Sequence, residues 1–253
     1  MVKMIMHGCN GAMGQVIRGM VRDMDGIEIV AGIDISDHIT NEFPVFSSLR
    51  ACHVEADVIV DFASVKAFAS LMDYCEETGM PVVVCTTGLD EEQVARIAEA
   101  AEKTAVLRSA NMSLGVNTLL KLVAEAAKVF AQADFDIEII EKHHNQKVDA
   151  PSGTALALAD SINDAMHQAY HYKYDRSTER VKRDKKEIGI QAVRGGSIVG
   201  EHDVIFAGRD EVITFSHTAY SKAIFAKGAL QAAKFLAGQK PGLYNMADVI
   251  DHT

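Results

Sequence analysis

The chain has 253 residues, enough for one large domain or two modest ones that each bury a core. Hydrophobic residues make up 48% of it and charged residues 24%, proportions typical of a globular protein that exclude wholesale disorder. The formal net charge of −10 argues against a nucleic-acid partner, because binding to phosphate backbones depends on clustered Lys and Arg.

The N-terminal part, residues 1–112, alternates short apolar segments with amphipathic ones, a pattern that predicts a parallel sheet wrapped by helices. Runs of Ile, Val and Met without polar alternation are typical of strands buried on both faces. The predicted strands are Val2–His7, Ile27–Ile33, Val58–Phe62, Val82–Cys85 and Ala105–Leu107. The predicted helices cover residues 14–24, 65–78 and 91–103.

The glycine-rich turn after the first predicted strand has the spacing G-x-x-G-x-x-G at Gly8, Gly11 and Gly14. Such a turn lets the backbone approach a pyrophosphate while unpaired helix amides face it. Asp34 lies 20 residues beyond Gly14, where an acid accepts hydrogen bonds from the adenosine ribose hydroxyls. These features favour a Rossmann-type dinucleotide-binding domain, although glycines without a ligand and an ordinary loop aspartate would give the same residues.

Cofactor preference is predicted from the residues that follow Asp34. Residues 35–38, Ile-Ser-Asp-His, include no Arg or Lys that would meet a 2′-phosphate. An acid that accepts hydrogen bonds from both ribose hydroxyls favours the cofactor without that phosphate. We therefore predict that NADH is preferred over NADPH.

Two polar segments at the ends of later strands are further candidates for cofactor contacts. Thr86-Thr87-Gly88 follows the fourth predicted strand, and the segment from Ser109 to Met112 follows the fifth. Open α/β sheets bind ligands at the carboxyl ends of their strands. Ordinary turn chemistry explains both segments equally well.

The pattern changes after Asn111, where longer helices and alternating strands replace the repeated strand and helix units. The predicted elements are a helix over 117–132, a strand over 135–140, a helix over 155–169, strands over 190–193, 198–206 and 211–216, and a helix over 223–236. Strands separated by Gly-rich turns predict an α+β domain with an open mixed sheet. We predict a dinucleotide-binding domain of residues 1–112, completed by 218–253, and a substrate domain of residues 113–217.

The segment HHNQKVDAPSGTA is dense in polar side chains just before a predicted helix. Pro151 suits the first position of that helix. The amides of Ser152, Gly153 and Thr154 are then expected to point unpaired toward an anion. Gly153 costs a helix about 1 kcal/mol relative to Ala, which favours close approach of a ligand as its reason. Lys147 adds a point charge, so the predicted substrate carries a carboxylate or phosphate.

His143 and His144 are adjacent, so in an extended segment they point to opposite sides and have different roles. One of them is predicted to face the ligand as a proton donor, because the unperturbed pKa of histidine lies nearest neutrality. A lone histidine would more often be structural. A pair followed by Lys147 and an anion site favours catalysis.

The cysteines and the hydropathy of the chain bear on its location. The four cysteines are scattered, without a Cys-x-x-Cys pair or the spacing of Cys and His metal ligands, so neither a disulfide framework nor a metal site is predicted. No segment resembles a signal peptide, and no run of about 18 apolar residues would span a membrane. We therefore expect a cytoplasmic protein with no membrane contact.

The motifs of this chain resemble those of the dihydrodipicolinate reductase family, the 4-hydroxy-tetrahydrodipicolinate reductases of the diaminopimelate route to lysine. The resemblance covers the whole chain and is carried by residues 8–14, 58–62, 86–88, 111–117, 143–155 and 189–208. It implies a reductase of two domains, usually a homotetramer, whose C-terminal domain supplies substrate groups and the oligomer interface. A nicotinamide hydride would reach C4 of the cyclic dicarboxylate with loss of water, and C3 would be protonated.

The resemblance also implies a role for each site residue. His143 would be the proton donor, and Lys147 would stabilise the developing negative charge. The substrate carboxylates would be held by His144, Ser152, Gly153 and Thr154. Cofactor contacts would come from Gly8, Cys9, Asn10, Gly11, Ala12, Met13, Asp34, Cys85, Thr86, Thr87, Ser109, Ala110, Asn111 and Met112. Lys222 stands where arginine is expected in many relatives, which puts one secondary contact in doubt because lysine makes no bidentate contact.

Two other functions are compatible with part of the pattern. Another Rossmann oxidoreductase acting on a small amino-dicarboxylate would keep the glycine turn but would not need Pro-Ser-Gly-Thr after His-His-x-x-Lys. A catalytically silent nucleotide sensor would bind NADH without turnover and would tolerate loss of His143. The intact pair of His143 and Lys147 favours the reductase.

Overall fold

A computed structural model describes residues 1–36 and 38–252. Asp37, one of the residues on which the predicted cofactor preference depends, lies outside the described residues. The chain divides into two compact units. The first is formed by Met1–Leu114 together with the C-terminal segment from Lys222 onward, and the second by Gly115–Ser221.

The described residues form twelve strands, seven α-helices and two short 3₁₀ helices, Leu49–Ala51 and Val65–Ala67. The strands, in the described part of the chain, are β1 (Val2–His7), β2 (Ile27–Ile33), β3 (Val45–Phe46), β4 (Val58–Asp61), β5 (Val82–Val84), β6 (Ala105–Arg108), β7 (Asp136–His143), β8 (His171–Lys173), β9 (Glu187–Arg194), β10 (Gly200–Ala207), β11 (Val212–Ala219) and β12 (Gly242–Tyr244). The helices there are α1 (Ala12–Val21), α2 (Phe68–Thr78), α3 (Glu91–Ala101), α4 (Leu114–Phe130), α5 (Gly153–Ala165), α6 (Ala223–Leu236) and α7 (Met246–Asp251).

The first unit is built on a seven-stranded sheet in the order β12-β6-β5-β4-β1-β2-β3, in which neighbouring strands run parallel. Met4, Ile5 and Met6 of β1 are fully buried, as a central strand covered on both faces requires. The strand order reverses between β1 and β4, because β2 lies on the other side of β1. Open α/β sheets bind ligands at the carboxyl ends of the strands beside such a reversal.

The second unit is built on a five-stranded sheet in the order β11-β10-β7-β9-β8. β7 pairs antiparallel with β10 but parallel with β9, so the sheet is mixed. Val123 of α4 and Leu158 of α5 pack with Ile137, Ile139 and Phe206 into the core on one face of this sheet. The predicted fold class, a Rossmann-type parallel sheet plus a second unit with a mixed sheet, is confirmed.

Four short elements were not predicted, namely β3, β8, β12 and α7. Strands of two or three residues are too short to show a hydrophobic period, and pairing with a neighbouring strand defines them instead. The predicted helix over 155–169 ends early, at Ala165, because His167 and Gln168 take left-handed backbone conformations that a helix cannot include. No helix in the described part of the chain is long and apolar enough to cross a membrane.

Candidate active site

A cavity of about 800 Å³ opens at the carboxyl ends of β1, β2 and β4 in the first unit. Its lining includes four of the residues predicted to contact a cofactor: Gly8, Asn10, Gly11 and Asp34. The other ten predicted cofactor residues are not among the described residues that line it. Cys9, for example, is buried in the core against Gly32.

The glycine-rich turn has a geometry that excludes side chains at two of its positions. Gly8 has φ +82°, and a Cβ built on it would lie 2.9 Å from the backbone of Phe62. A Cβ on Gly14 would lie 2.4 Å from the carbonyl oxygen of Gly8. Gly11 is the N-cap of α1 and, among the described residues, no side chain makes the usual cap hydrogen bond there. The first amides of α1 therefore have no side-chain acceptor at the N-cap, as a pyrophosphate site requires.

Asp34 holds the glycine-rich turn against the loop that follows β2. Its Oδ2 accepts the amide of Asn10 at 2.9 Å, and its Oδ1 accepts the amide of Ser36 at 2.9 Å. Each carboxylate oxygen can accept a second hydrogen bond. The carboxylate is therefore fixed in position and still able to accept ribose hydroxyls.

A buried polar group that was not predicted lies beside this cavity. Asp61, at the end of β4, is 2.8 Å from Nδ1 of His7 and accepts the hydroxyl of Thr86 at 2.6 Å. The Thr86 hydroxyl also lies 3.1 Å from the carbonyl oxygen of Ala63. These contacts fix the start of the segment after β5, which was predicted to contact the cofactor. Thr86 is itself buried, so its hydroxyl serves this internal contact.

In the second unit, strand β7 carries an acid into the core. Ile137, Ile139 and Glu141 alternate along one face of the strand and are fully buried, and His143 follows on the same face. Arg194, opposite His143 on β9, donates to both Glu141 oxygens at 2.7 Å. Burial alone would raise the pKa of Glu141, but hydrogen bonds from Arg194, His143 and the Ser152 amide outweigh it and lower that pKa.

Glu141 organises two residues of the predicted substrate site. Its Oε2 lies 2.6 Å from Nδ1 of His143, and its Oε1 accepts the amide of Ser152 at 2.9 Å. Ser152 is the N-cap of α5, where its hydroxyl accepts the amide of Ala155 at 3.2 Å. One buried carboxylate therefore connects the predicted proton donor to the start of the predicted anion-binding helix.

Two expectations for this segment are wrong. Pro151 is not the first residue of α5, because Ser152 is the N-cap and the helix begins at Gly153. The amide of Ser152 does not point unpaired toward a ligand, since it donates to Glu141. Ser152 therefore caps α5 and binds Glu141, so its amide is not available to a ligand. The residues of the first helical turn are Gly153 and Thr154.

His202 of β10 stands opposite Glu141 and is buried. Its Nε2 lies 2.8 Å from the hydroxyl oxygen of Ser152, and its ring centroid lies 5.2 Å from that of His143. Burial and, secondly, the charge of His143 lower the pKa of His202 to about 4. Burial also lowers the pKa of the neighbouring His217. His202 is therefore neutral near pH 7.

Acid should destabilise this unit through His202. Between its ordinary pKa of 6.5 and its folded pKa of about 4, the unfolded chain binds a proton that the folded chain does not. The stability contributed by neutral His202, up to about 3 kcal/mol, is present above pH 6.5 and is lost as the pH falls toward 4. Denaturant unfolding across this pH range should show that the free energy of unfolding falls less on acidification for His202→Gln than for wild type. Parallel curves would contradict the assignment.

Lys147 lies in the loop between β7 and α5, where it already binds a carboxylate. Its Nζ is 2.8 Å from Oδ1 of Asp149, and this hydrogen bond lowers the pKa of Asp149. The backbone amide of Gly153 makes a smaller contribution to lowering that pKa. A Cβ built on Gly153 would meet no atom of the described residues within 4 Å, so protein packing does not explain this glycine. His144 is exposed beside this loop.

Two family models match the chain. Dihydrodipicolinate reductase, N-terminus, matches residues 2–112, and dihydrodipicolinate reductase, C-terminus, matches residues 115–250. The chain belongs to the dihydrodipicolinate reductase family. The predicted family resemblance is thereby confirmed.

Relatives in the dihydrodipicolinate reductase family match over the full length. The chain is 52% identical to the 4-hydroxy-tetrahydrodipicolinate reductase of Caldanaerobacter subterraneus subsp. tengcongensis, over 99% of this chain and 98% of that protein. It is 50% identical to the Clostridium tetani protein of the same name, over 97% of this chain and 96% of the other. A dipicolinate-bound dihydrodipicolinate reductase from Paenisporosarcina sp. TG-14 has a similar structure, with a TM-score of 0.81, 26% identity and 97% coverage of both chains.

More distant structures share the fold of this dihydrodipicolinate reductase family member. A probable dehydrogenase from Thermotoga maritima has a TM-score of 0.64 at 10% identity, covering 98% of this chain and 92% of that one. At this identity the likeness concerns the fold alone. The departure noted at Lys222 lies at the N-cap position of α6 in the first unit.

Proposed function

We propose that this chain reduces 4-hydroxy-tetrahydrodipicolinate to tetrahydrodipicolinate, with loss of water, in the diaminopimelate route to lysine. The observation that carries the proposal is the full-length match, at 50–52% identity, to two relatives named 4-hydroxy-tetrahydrodipicolinate reductase. The second unit supports it with a histidine, a lysine and a helix start in one short segment. A cyclic dicarboxylate needs a proton donor and two anion contacts, which these groups can supply.

The first unit has the features that a nicotinamide dinucleotide requires. Gly8, Gly11 and the first amides of α1 would hold the pyrophosphate, and Asp34 would accept the ribose hydroxyls. The bound cofactor supplies a hydride to C4 of the substrate ring. Asp61 and Thr86 would contribute by holding the segment after β5 in place.

In the second unit, His143 would give its proton to C3 of the ring while Lys147 stabilises the negative charge that develops. His144, Gly153 and Thr154 would hold the substrate carboxylates. Lys147 is paired with the Asp149 carboxylate, and the Gly153 amide helps to lower the pKa of that carboxylate, which supports the assignment of both groups as carboxylate ligands. We propose that a substrate carboxylate takes the place of Asp149 at these two groups.

The test of this function is turnover by purified wild-type protein. The substrate is generated in the assay by the preceding synthase, and the fall in NADH absorbance is followed. Turnover that depends on the synthase product supports the proposal. No turnover with that product, together with reduction of NAD⁺ by a small amino-dicarboxylate, would favour the alternative oxidoreductase. Binding of NADH without any turnover would favour a nucleotide sensor.

We expect kcat/KM to be higher with NADH than with NADPH at neutral pH. The fixed carboxylate of Asp34 accepts ribose hydroxyls and repels a 2′-phosphate. Arg50 and Lys66 also line the cavity and are cations that such a phosphate could reach, but Arg50 already donates to Glu77 at 2.7 Å. Steady-state kinetics with both cofactors test the preference, and the opposite order would contradict it. Lys66→Ala should lower any NADPH-dependent rate more than the NADH-dependent rate.

The assembly and location of the protein are part of the same proposal. Family resemblance supports a homotetramer formed through the second unit, which sedimentation equilibrium of the purified protein can test. Cys9, Cys52, Cys75 and Cys85 are free thiols, and burial raises the pKa of Cys85. Free thiols are maintained by a reducing cytoplasm.

A further inference from the structure

Glu141 makes more contacts than a buried ion pair with Arg194 would need. Its two oxygens accept four hydrogen bonds, from Arg194 twice, from His143 and from the Ser152 amide. These donors come from β7, β9 and the start of α5. Arg194 also donates to the carbonyl oxygen of Asp149 at 2.6 Å, within the loop that carries Lys147. The pair therefore connects His143, the loop that carries Lys147 and the start of α5.

The ionised carboxylate of Glu141 determines which nitrogen of His143 carries a permanent proton. A carboxylate only accepts hydrogen bonds, so Nδ1 of His143, 2.6 Å away, must be protonated. Nε2 is then the nitrogen that gains or loses a proton during turnover. It lies on the side of Gly200, where a Cβ built on that glycine would approach it to 3.1 Å. Gly200 therefore leaves open the space in front of the reacting nitrogen.

We infer that Glu141 is the positioning residue of the proton donor, holding His143 with Nδ1 protonated and Nε2 directed to the substrate, while Arg194 holds Glu141 in place. The inference rests on the proposed function, because it assigns a role to Glu141 in that reaction. Glu141 is fully buried and does not reach the substrate itself. It acts only through His143 and through the Ser152 amide.

The charges around His143 decide how its proton transfer should respond to a change at Glu141. Glu141 on β7 is the acid in direct contact with it, while Arg194 on β9 neutralises part of that charge. His202 on β10 and Lys147 in the loop contribute no negative charge. Removing the charge of Glu141 should therefore disfavour the imidazolium form that donates the proton.

Glu141→Gln keeps the size of the side chain and removes its charge. We expect kcat to fall by about ten- to a hundredfold, with a smaller change in KM for the substrate. The alkaline limb of the kcat/KM profile should move to lower pH, because the imidazolium form loses the adjacent anion. A variant with the wild-type pH profile and kcat would overturn the inference. A purely structural role would lower stability without moving the profile.

Glu187→Gln is the matched control in the same unit. Glu187 is also a buried glutamate paired with an arginine, Arg176, but it lies at the opposite end of β9 from Arg194. Its substitution should cost stability while leaving the pH profile in place. Equal displacement of the profile in both variants would show a general effect of buried charge and would overturn the inference.

A measurement on the wild-type protein does not depend on whether Glu141→Gln folds. Nitrogen NMR of histidine-labelled protein, with His143→Ala to assign the signal, should show that neutral His143 carries its proton on Nδ1 and not on Nε2. The opposite tautomer would overturn the inference. This result is independent of turnover, so it separates the two proposals. A wild-type protein without reductase activity would refute the function even if the tautomer is as expected.

Discussion

Replacing Lys147 with alanine is expected to lower kcat by at least about a hundredfold. The ammonium group lies in the loop before α5 and binds the carboxylate of Asp149 at 2.8 Å, so its position suits an anion. A fixed cation beside a developing negative charge contributes several kcal/mol to a transition state, because it needs no reorganisation as the reaction proceeds. Steady-state kinetics with the synthase-generated substrate measure the effect. Near-normal turnover would refute the assignment.

Lys173→Ala is a suitable control for the loss of a positive charge. The side chain of Lys173 is 21% exposed, against 23% for Lys147, and each pairs with one carboxylate, Glu179 for Lys173 and Asp149 for Lys147. Both lysines belong to the second unit. The control should keep wild-type kcat, and a comparable loss in both variants would mean that net charge, and not position, explains the result.

The fold was largely predictable because its main elements are long and apolar. β1 and β2 have the predicted bounds, and so does α6. β12 was not predicted, since three residues, Gly242–Tyr244, become a strand only by pairing with β6. The local hydrophobic pattern determines β1, β2 and α6, whereas β12 depends on a strand more than a hundred residues away in the chain.

Site residues that lie close together in the sequence could be predicted from their motif. Residues that come together only through the pairing of distant strands could not. The alternation of β7 places Glu141 on the buried face of Ile137 and Ile139, so an inward acid could have been inferred. Its partner could not, because Arg194 is 53 residues away and reaches it only through the pairing of β7 with β9. Asp61 and Thr86 meet for a similar reason, at the ends of neighbouring parallel strands.

The error at Pro151 has the same origin. Local rules favour proline in the first turn of a helix and leave the next amides unpaired. These local rules take no account of a buried carboxylate on another element, here Glu141 on β7, which needs hydrogen-bond donors. Glu141 accepts the Ser152 amide, and α5 begins at Gly153. Unsatisfied buried charge costs more than the small preference of proline for one position.

His143→Ala is expected to lower kcat by about a hundred- to ten-thousandfold, the range for loss of a positioned general acid. Its side chain is only 13% exposed, and Glu141 fixes its orientation, so solvent should replace it poorly. NADH binding should be unchanged, because the cavity with Gly8 and Asp34 lies in the first unit and its described lining does not include His143. Cofactor fluorescence and turnover, measured on the same preparation, separate the two effects.

Turnover and NADH binding of His143→Ala, measured together, distinguish a reductase from a nucleotide sensor. Collapse of turnover with intact NADH binding requires that the histidine acts in chemistry. His171→Ala removes an exposed histidine of the same unit and should change neither quantity. If His143→Ala retained wild-type turnover, another group would have to donate the proton, and the role of Glu141 as its positioning residue would fail with it. Loss of turnover in His143→Ala, together with a displaced pH profile in Glu141→Gln, would establish that Glu141 acts on the reaction through the proton donor His143.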